Sequence, residues 1–254
     1  MTDDSRHPSY PNPTVTEALC EIHFALGPGT SWKPTLPGDL FKSIQTEFPE
    51  MEPVVEVGVQ VEFGPQGIGQ KFLPPAQRAR YRHASRPLLL QLSENVFTVN
   101  VLPKYPGWDV MRHDVVSAWT TAKRVLHPAA VTRIGLRYIN RIPRESPNER
   151  AGDWLKPTRY IPAAILESNS GFLLRLEAHM GNENRVIVTL GDAPPEAGSI
   201  GSIVFDIDRI VERGMDTSLE VLEQQMNRLH DDVWEMFSAA KNERLERLLQ
   251  RTPK

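Results

Sequence analysis

With a single cysteine, Cys20, in 254 residues, the chain can build neither an intramolecular disulfide framework nor a thiolate zinc cluster. It has no apolar run near the roughly 20 residues of a membrane helix. Its opening, MTDDSRHPSYPNP, is polar, and no apolar stretch follows that would make it a signal or transit peptide. Neither sign of charge dominates. Lys and Arg number 29 against 32 Asp and Glu, a formal net charge of −3, which excludes a general polyanion binder but allows a local basic patch. Familiar catalytic signatures are missing too. GPQGIGQ (64–70) contains a Gly-x-Gly but lacks the third glycine and the following helix of a dinucleotide fingerprint. There is no phosphate loop, no His-Glu-x-x-His and no serine in a nucleophile elbow. These absences lead to the expectation of a cytoplasmic protein away from membranes, with Cys20 as a packed core thiol.

What the chain does have is periodicity. Residues 16–26 alternate, with Ala18, Cys20, Ile22, Phe24 and Leu26 on one side and Glu17, Glu21 and His23 on the other. A helix is predicted over 38–48, capped by Gly38 or Asp39 and stopped by Pro49. Residues 54–63 alternate most cleanly, with Glu56, Gln60 and Glu62 opposite the valines, and predict one strand followed by a loop through GPQGIGQKFLPPAQ. A short strand over 78–84 and a hairpin turning at Ser93 to Asn95 come next, then an amphipathic helix over 108–126. The 22 prolines cluster in loops and do not signal disorder.

The second half repeats this order with one strand fewer. Residues 131–142 predict a strand, then a long loop with a short helix near Asp153, a hairpin across Gly181 and Asn182, and a strand over 201–211. A closing helix over 218–250 opens on the capping-box pattern Thr217-Ser-Leu-Glu220. At 1.5 Å per residue it would be about 50 Å long, enough to span the sheet or to reach a second subunit in a homodimer. The expected fold class is α+β: a predominantly antiparallel sheet with helices on one face, saddle-like or helix-on-sheet. Its two topologically similar halves would be residues 1–127 and 128–254, packed as one unit.

If the apolar side of each strand packs on helices, the other side faces water, a ligand or a partner. That side carries Glu17 and Glu21, then Arg133, Arg137 and Arg141, then Arg175 and Glu177, then Asp206 and Asp208. A row of guanidiniums four residues apart on one strand suits carboxylates or phosphates, which they bind bidentately. Ordinary cross-strand pairing accounts for the same charges. Mid-strand Arg137 needs an anion or an acidic neighbour, and Glu17, Glu21, Asp206 and Asp208 are available. Glu21 with His23, and Glu177 with His179, each place a carboxylate and an imidazole two residues apart, a weak pattern for a divalent metal. The leading expectation is a binding or interaction module using this Arg/Glu/Asp-lined face for an anionic ligand or a protein partner. The alternative is a metal-dependent enzyme acting on a phosphorylated or nucleotide substrate. Nucleic acid is disfavoured, because the face mixes carboxylates with arginines and lacks aromatic or apolar wedges. Whether a cofactor is used is unknown from the sequence.

Four segments carry a likeness: Tyr10-Pro-Asn-Pro-Thr-Val-Thr-Glu-Ala-Leu19, Arg137-Tyr-Ile-Asn-Arg-Ile142, Gly107-Trp108 and Asp206-Ile-Asp208. With them the chain resembles a sporadically distributed family of uncharacterised bacterial and archaeal proteins of about this length. The likeness runs over nearly the whole chain and singles out Glu17, Arg137, Asn140 and Arg141. It implies no particular reaction, cofactor or partner.

Overall fold

The structure is a computed structural model that describes residues 7–56, 59–64, 67–72, 76–181, 183–193, 195 and 200–252, with side chains described outside 56–76. The strands are β1 (Val15–Leu26), β2 (Glu50–Glu56), β3 (Val59–Gly64), β4 (Gly67–Phe72), β5 (Ala76–Arg82), β6 (Leu88–Leu92) and β7 (Val96–Val101), then β8 (Pro128–Pro143), β9 (Leu173–His179), β10 (Asn184–Ala193) and β11 (Ser202–Met215). The helices are α1 (Leu36–Ile44), α2 (Trp108–Leu126), α3 (Ala163–Leu166), α4 (Leu219–Ala240) and α5 (Glu243–Leu249). Nine strands form one sheet in the order β2-β5-β6-β7-β1-β8-β11-β10-β9, and every adjacent pair is antiparallel. The fold is therefore α+β. No helix among the described residues is long and apolar enough to cross a membrane.

Strand alternation decides which residues share a face. Cys20 of β1 lies opposite Leu136 of β8, and Ala18 opposite Tyr138. Ile207 of β11 follows opposite Tyr138. On this side Ala18, Cys20, Ile22, Leu136 and Ile207 are fully buried. Helices supply the other half of the core. Trp119 of α2 sits 6.0 Å from Phe97 and 6.2 Å from Phe24 by ring centroids, and Phe237 of α4 stacks at 6.2 Å on Phe205. Tyr81 of β5 stacks on Phe41 of α1 and donates its hydroxyl to the Pro37 carbonyl. Burying several such aromatics, each worth a few kcal/mol, is the main cohesive term. Cys20 is fully enclosed, and burial pushes its thiol up to about 12, so it is inert.

Four local expectations need correction. The alternation over 54–63 is two strands, not one: β2 pairs with β5 in the main sheet, whereas β3, among the described residues, pairs with β4 in a separate two-stranded sheet. Residues 57–58, between the two strands, lie outside the described set. The expected loop contains β4, closed onto β3 with Gly64 opposite Gly67. The side chains of Glu56, Gln60 and Glu62 are not among those described. Helix α1 starts at Leu36 rather than Gly38, because Pro37 in the first turn has no N–H to leave unpaired and holds a helical φ.

The closing helix is also not one piece. Ser218, not Thr217, caps α4 by accepting from the Val221 N–H, and α4 stops at Ala240. Lys241 is extended at φ −66°, ψ 140°, and Asn242 restarts the chain as α5 by accepting from the N–H groups of Arg244 and Leu245. Leu245, Leu248 and Leu249 are buried in this protein's own core, which is why the helix turns back instead of running on.

Candidate functional site

The outer face of the sheet carries the charges expected of it, and most of them are engaged with each other. Arg137 grips Asp206 with two hydrogen bonds, Nε to Oδ1 at 2.9 Å and Nη2 to Oδ2 at 2.7 Å. Arg133 lies between Glu21 at 3.4 Å and Glu212 at 3.8 Å. Arg141 donates to Ser202 Oγ at 2.6 Å, and Asn100 donates to Glu17 at 2.6 Å. Farther out, Arg185 bridges Glu177 and Glu212, and Arg175 approaches Glu177 at 3.7 Å. Glu17, Glu21, Arg133, Arg137, Arg141, Asp206 and Asp208 thus meet on three adjacent strands, β1, β8 and β11. Arg175, Glu177 and His179 sit apart on the edge strand β9.

His23 Nε2 donates to the Glu21 carboxylate at 2.7 Å. Three strands separate it from His179, about 19 Å at the usual strand spacing, so the two imidazoles do not share a site. Burial pushes Glu21 up, but hydrogen bonding to His23 and the charges of Arg133 and Arg78 outweigh it and hold the carboxyl below its ordinary value. Asp208 is different. It makes no hydrogen bond or ion pair among the described residues, and burial raises it to about 6 despite Arg137 and Arg133.

A cleft lies on the helix side of the same central strand. Its volume is about 340 Å³, in the range of small-molecule sites, and its lining is mostly apolar. Tyr138 and Asn140 of β8 form part of the lining; Val233, Trp234 and Phe237 come from α4, and Leu249 from α5. Asn140 reaches this side because it is even-numbered with Tyr138 and Ile142. It is 3% exposed, donates to the Phe205 carbonyl and accepts from Thr14 Oγ1 at 3.0 Å.

Residues 7–14 form a strap across the opening. Pro8, Pro11 and Pro13 remove backbone donors at short intervals, so this segment enters neither the sheet nor a helix. Side chains and one backbone N–H pin it instead. Asn12 N–H donates to Leu249 O and its Nδ2 to Leu248 O. Tyr10 donates to Glu246 at 2.9 Å and accepts from Lys241, which also pairs with Glu246. The Tyr10 ring stacks on Trp234 at 5.8 Å. On the other side Gly107, at φ 99°, turns the chain into α2 beside Ser9, a conformation that a side chain would strain.

Polar groups converge in this apolar setting. The hydroxyls of Tyr105 and Tyr138 meet at 2.8 Å, and burial raises the pKa of both. His230 of α4 stacks flat on Trp108 at 4.1 Å with 5° between planes. Burial, then His7, lowers His230 to about 3, so its imidazole is neutral at ordinary pH. His7 meets Asp231 at 2.5 Å.

No family model and no curated protein matches the chain. What the cleft holds must therefore be argued from its chemistry. Three of the four segments that carry the resemblance contribute to its lining: Tyr10, Pro13 and Thr14 from the first, Tyr138 and Asn140 from the second, and Gly107 with Trp108 from the third. His7, Tyr105, His230 and Trp234 were not legible as site residues. A signal existed in part, since His230, Val233, Trp234 and Phe237 recur at helical spacing and place a histidine and a tryptophan on one face.

Proposed function

We propose that the protein is a binding module whose ligand seat is the aromatic cleft beneath the strap, and that its ligand is a small molecule with a flat or apolar body and one polar group. The observation that carries this is the concave, mostly apolar lining, in which His7 Nδ1 and His230 Nδ1 are buried without a hydrogen-bond partner among the described residues. The cleft is concave and mostly apolar, with convergent hydroxyl, amide and imidazole groups, as ligand sites commonly are. The guanidiniums of the sheet face already hold carboxylates or a hydroxyl, so an anion binding there must displace a partner.

A screen of small aromatic acids, amides and amines, read by tryptophan fluorescence, tests the reading. Binding should be lost in Trp234→Leu and retained in Arg141→Gln and Arg175→Gln. Binding that survives Trp234→Leu but fails in the arginine variants would return the seat to the sheet face. The sheet face then serves an anionic ligand or a protein partner, or the phosphate of a metal-dependent enzyme's substrate.

Three further elements belong to this proposal. The halves are topological copies, which the strand order supports: β1-β7-β6-β5 is followed by α2 as β8-β11-β10-β9 is followed by α4, with β2 and the β3–β4 hairpin added in the first. The helices share one face of the sheet, supported by the contacts of α2 with β7 and of α4 with β8 and β11. Membership of the sporadically distributed family is supported by three of its four segments meeting at the cleft.

A further inference from the structure

We propose that His7, His230 and Asp231 form an open site for a borderline divalent transition-metal ion, of the class of Zn²⁺ or Co²⁺, at the rim of the cleft. One donor atom from each residue lies within 4.8 Å of the other two. His7 Nε2 is 2.5 Å from Asp231 Oδ1, and the two imidazole rings stand edge to face with centroids 5.0 Å apart. His230 is 6% exposed, and its Nδ1, like that of His7, is buried without a hydrogen-bond partner among the described residues. A buried ring nitrogen left unpaired is uncommon and calls for a ligand or a functional reason.

Small side-chain movements bring the spacing to that of a bound ion: the separations run from 2.5 Å up to at most 4.8 Å, so the wider ones close as the short one opens. Metal–nitrogen bonds of about 2.0–2.1 Å put tetrahedral donors about 3.3 Å apart, so the His7–Asp231 contact opens by about 1 Å to admit one. Two imidazoles and one carboxylate favour zinc, cobalt or iron over calcium and magnesium, which prefer oxygen cages. Stacking on Trp108, whose Nε1 donates to Asn227 at 3.3 Å, holds the His230 ring in place. Three protein ligands leave a position free. His7 and His230 both line the cleft, so that position takes the polar donor atom of whatever the cleft holds. Only this last step rests on the cleft reading. The ion itself is a separate claim. Neither carboxylate–imidazole pair of the sheet takes part, and Cys20 is enclosed elsewhere.

The test is titration of untagged, chelator-stripped protein with Co²⁺ alone, followed by visible absorption, and with Zn²⁺ by calorimetry. One equivalent should bind, with the ligand-field bands of four- or five-coordinate cobalt. Asp231 is half exposed, so Asp231→Asn leaves the fold intact and should weaken binding about tenfold or more. His7→Gln and His230→Gln should do the same, with circular dichroism as the folding check. Should His230→Gln unfold the chain, the other two variants decide. Absence of stoichiometric uptake, or uptake unchanged in Asp231→Asn and His7→Gln, overturns the proposal. Loss of uptake in His23→Gln instead moves the site to the sheet. Cobalt binding without any organic ligand leaves this proposal standing and sinks the cleft reading; the reverse result sinks this one alone.

Discussion

The two sides of β8 solve opposite problems. On the outer side Arg133, Arg137 and Arg141 are placed where a receiver of anions would need them, yet neighbouring strands bring partners to all three. On the helix side the same strand offers Tyr138 and Asn140, less conspicuous residues, and there the packing leaves a cavity with buried nitrogen atoms unpaired. On the proposed reading, charge density is a poor guide to a site. Among the described residues unpaired groups occur on both sides, Arg133 Nε and Asp208 on the outer one and the imidazole nitrogens of His7 and His230 on the inner one. What separates the two sides is that the second pair lies beside a concave, mostly apolar cavity.

The hardest way to test that contrast is to break the outer face. Asp206 has 8% of its side chain exposed, and Arg137 is its partner. Arg137→Met therefore strands a buried carboxylate and should cost about 3 kcal/mol, a value discounted because Arg137 is half exposed. The double variant Arg137→Met with Asp206→Leu should recover most of the loss in urea unfolding. Equal instability of the single and double variants would mean that the pair does more than satisfy itself.

Asp208 gives the next largest effect. Its folded carboxyl keeps a proton up to about pH 6, while the unfolded one releases it near about 4. Between those values the folded chain binds more protons, so this group's stability is fully present below about pH 4 and is lost as pH rises through 6. Asp208→Asn should stabilise the protein by about 2 kcal/mol at pH 8 and leave it unchanged at pH 4. Thermal melts at the two pH values decide, and a gain at both would locate the effect in packing. The smallest expected change belongs to the cleft. Tyr10→Phe removes the hydroxyl shared with Glu246 and Lys241 and should cost about 1 kcal/mol, while weakening a cleft ligand through a loosened strap.

Much of the outer face was legible in the sequence because a period of two is local. Glu17, Glu21 and His23 share one side of β1, and Arg133, Arg137 and Arg141 share one side of β8, as alternation alone requires. Strand order was not local. Asp206 becomes the partner of Arg137 because β11 pairs with β8, and nothing in either segment chooses Asp206 over Glu17. The cleft was less legible still. His7 and Asp231 are 224 positions apart, and Tyr10 and Glu246 236 apart. Helical spacing groups His230 with Trp234, but no periodicity says that a proline-spaced segment will lie across them. The break at Lys241 was hidden for a related reason: the leucines of α5 fit a continuing stripe, and tertiary burial turned them aside.

That break has a consequence for the order in which the molecule is made. Leu249 both lines the cleft and receives the Asn12 N–H on its carbonyl, so strap and cleft are joined by one of the last residues of the last helix. A chain emerging from the ribosome can complete all nine strands of the main sheet by Met215 and still hold no cleft. Only when α5 packs on does the segment 7–14 gain its Asn12 contacts and its Tyr10–Glu246 bond; until then its contacts to β8 and α4 alone hold it.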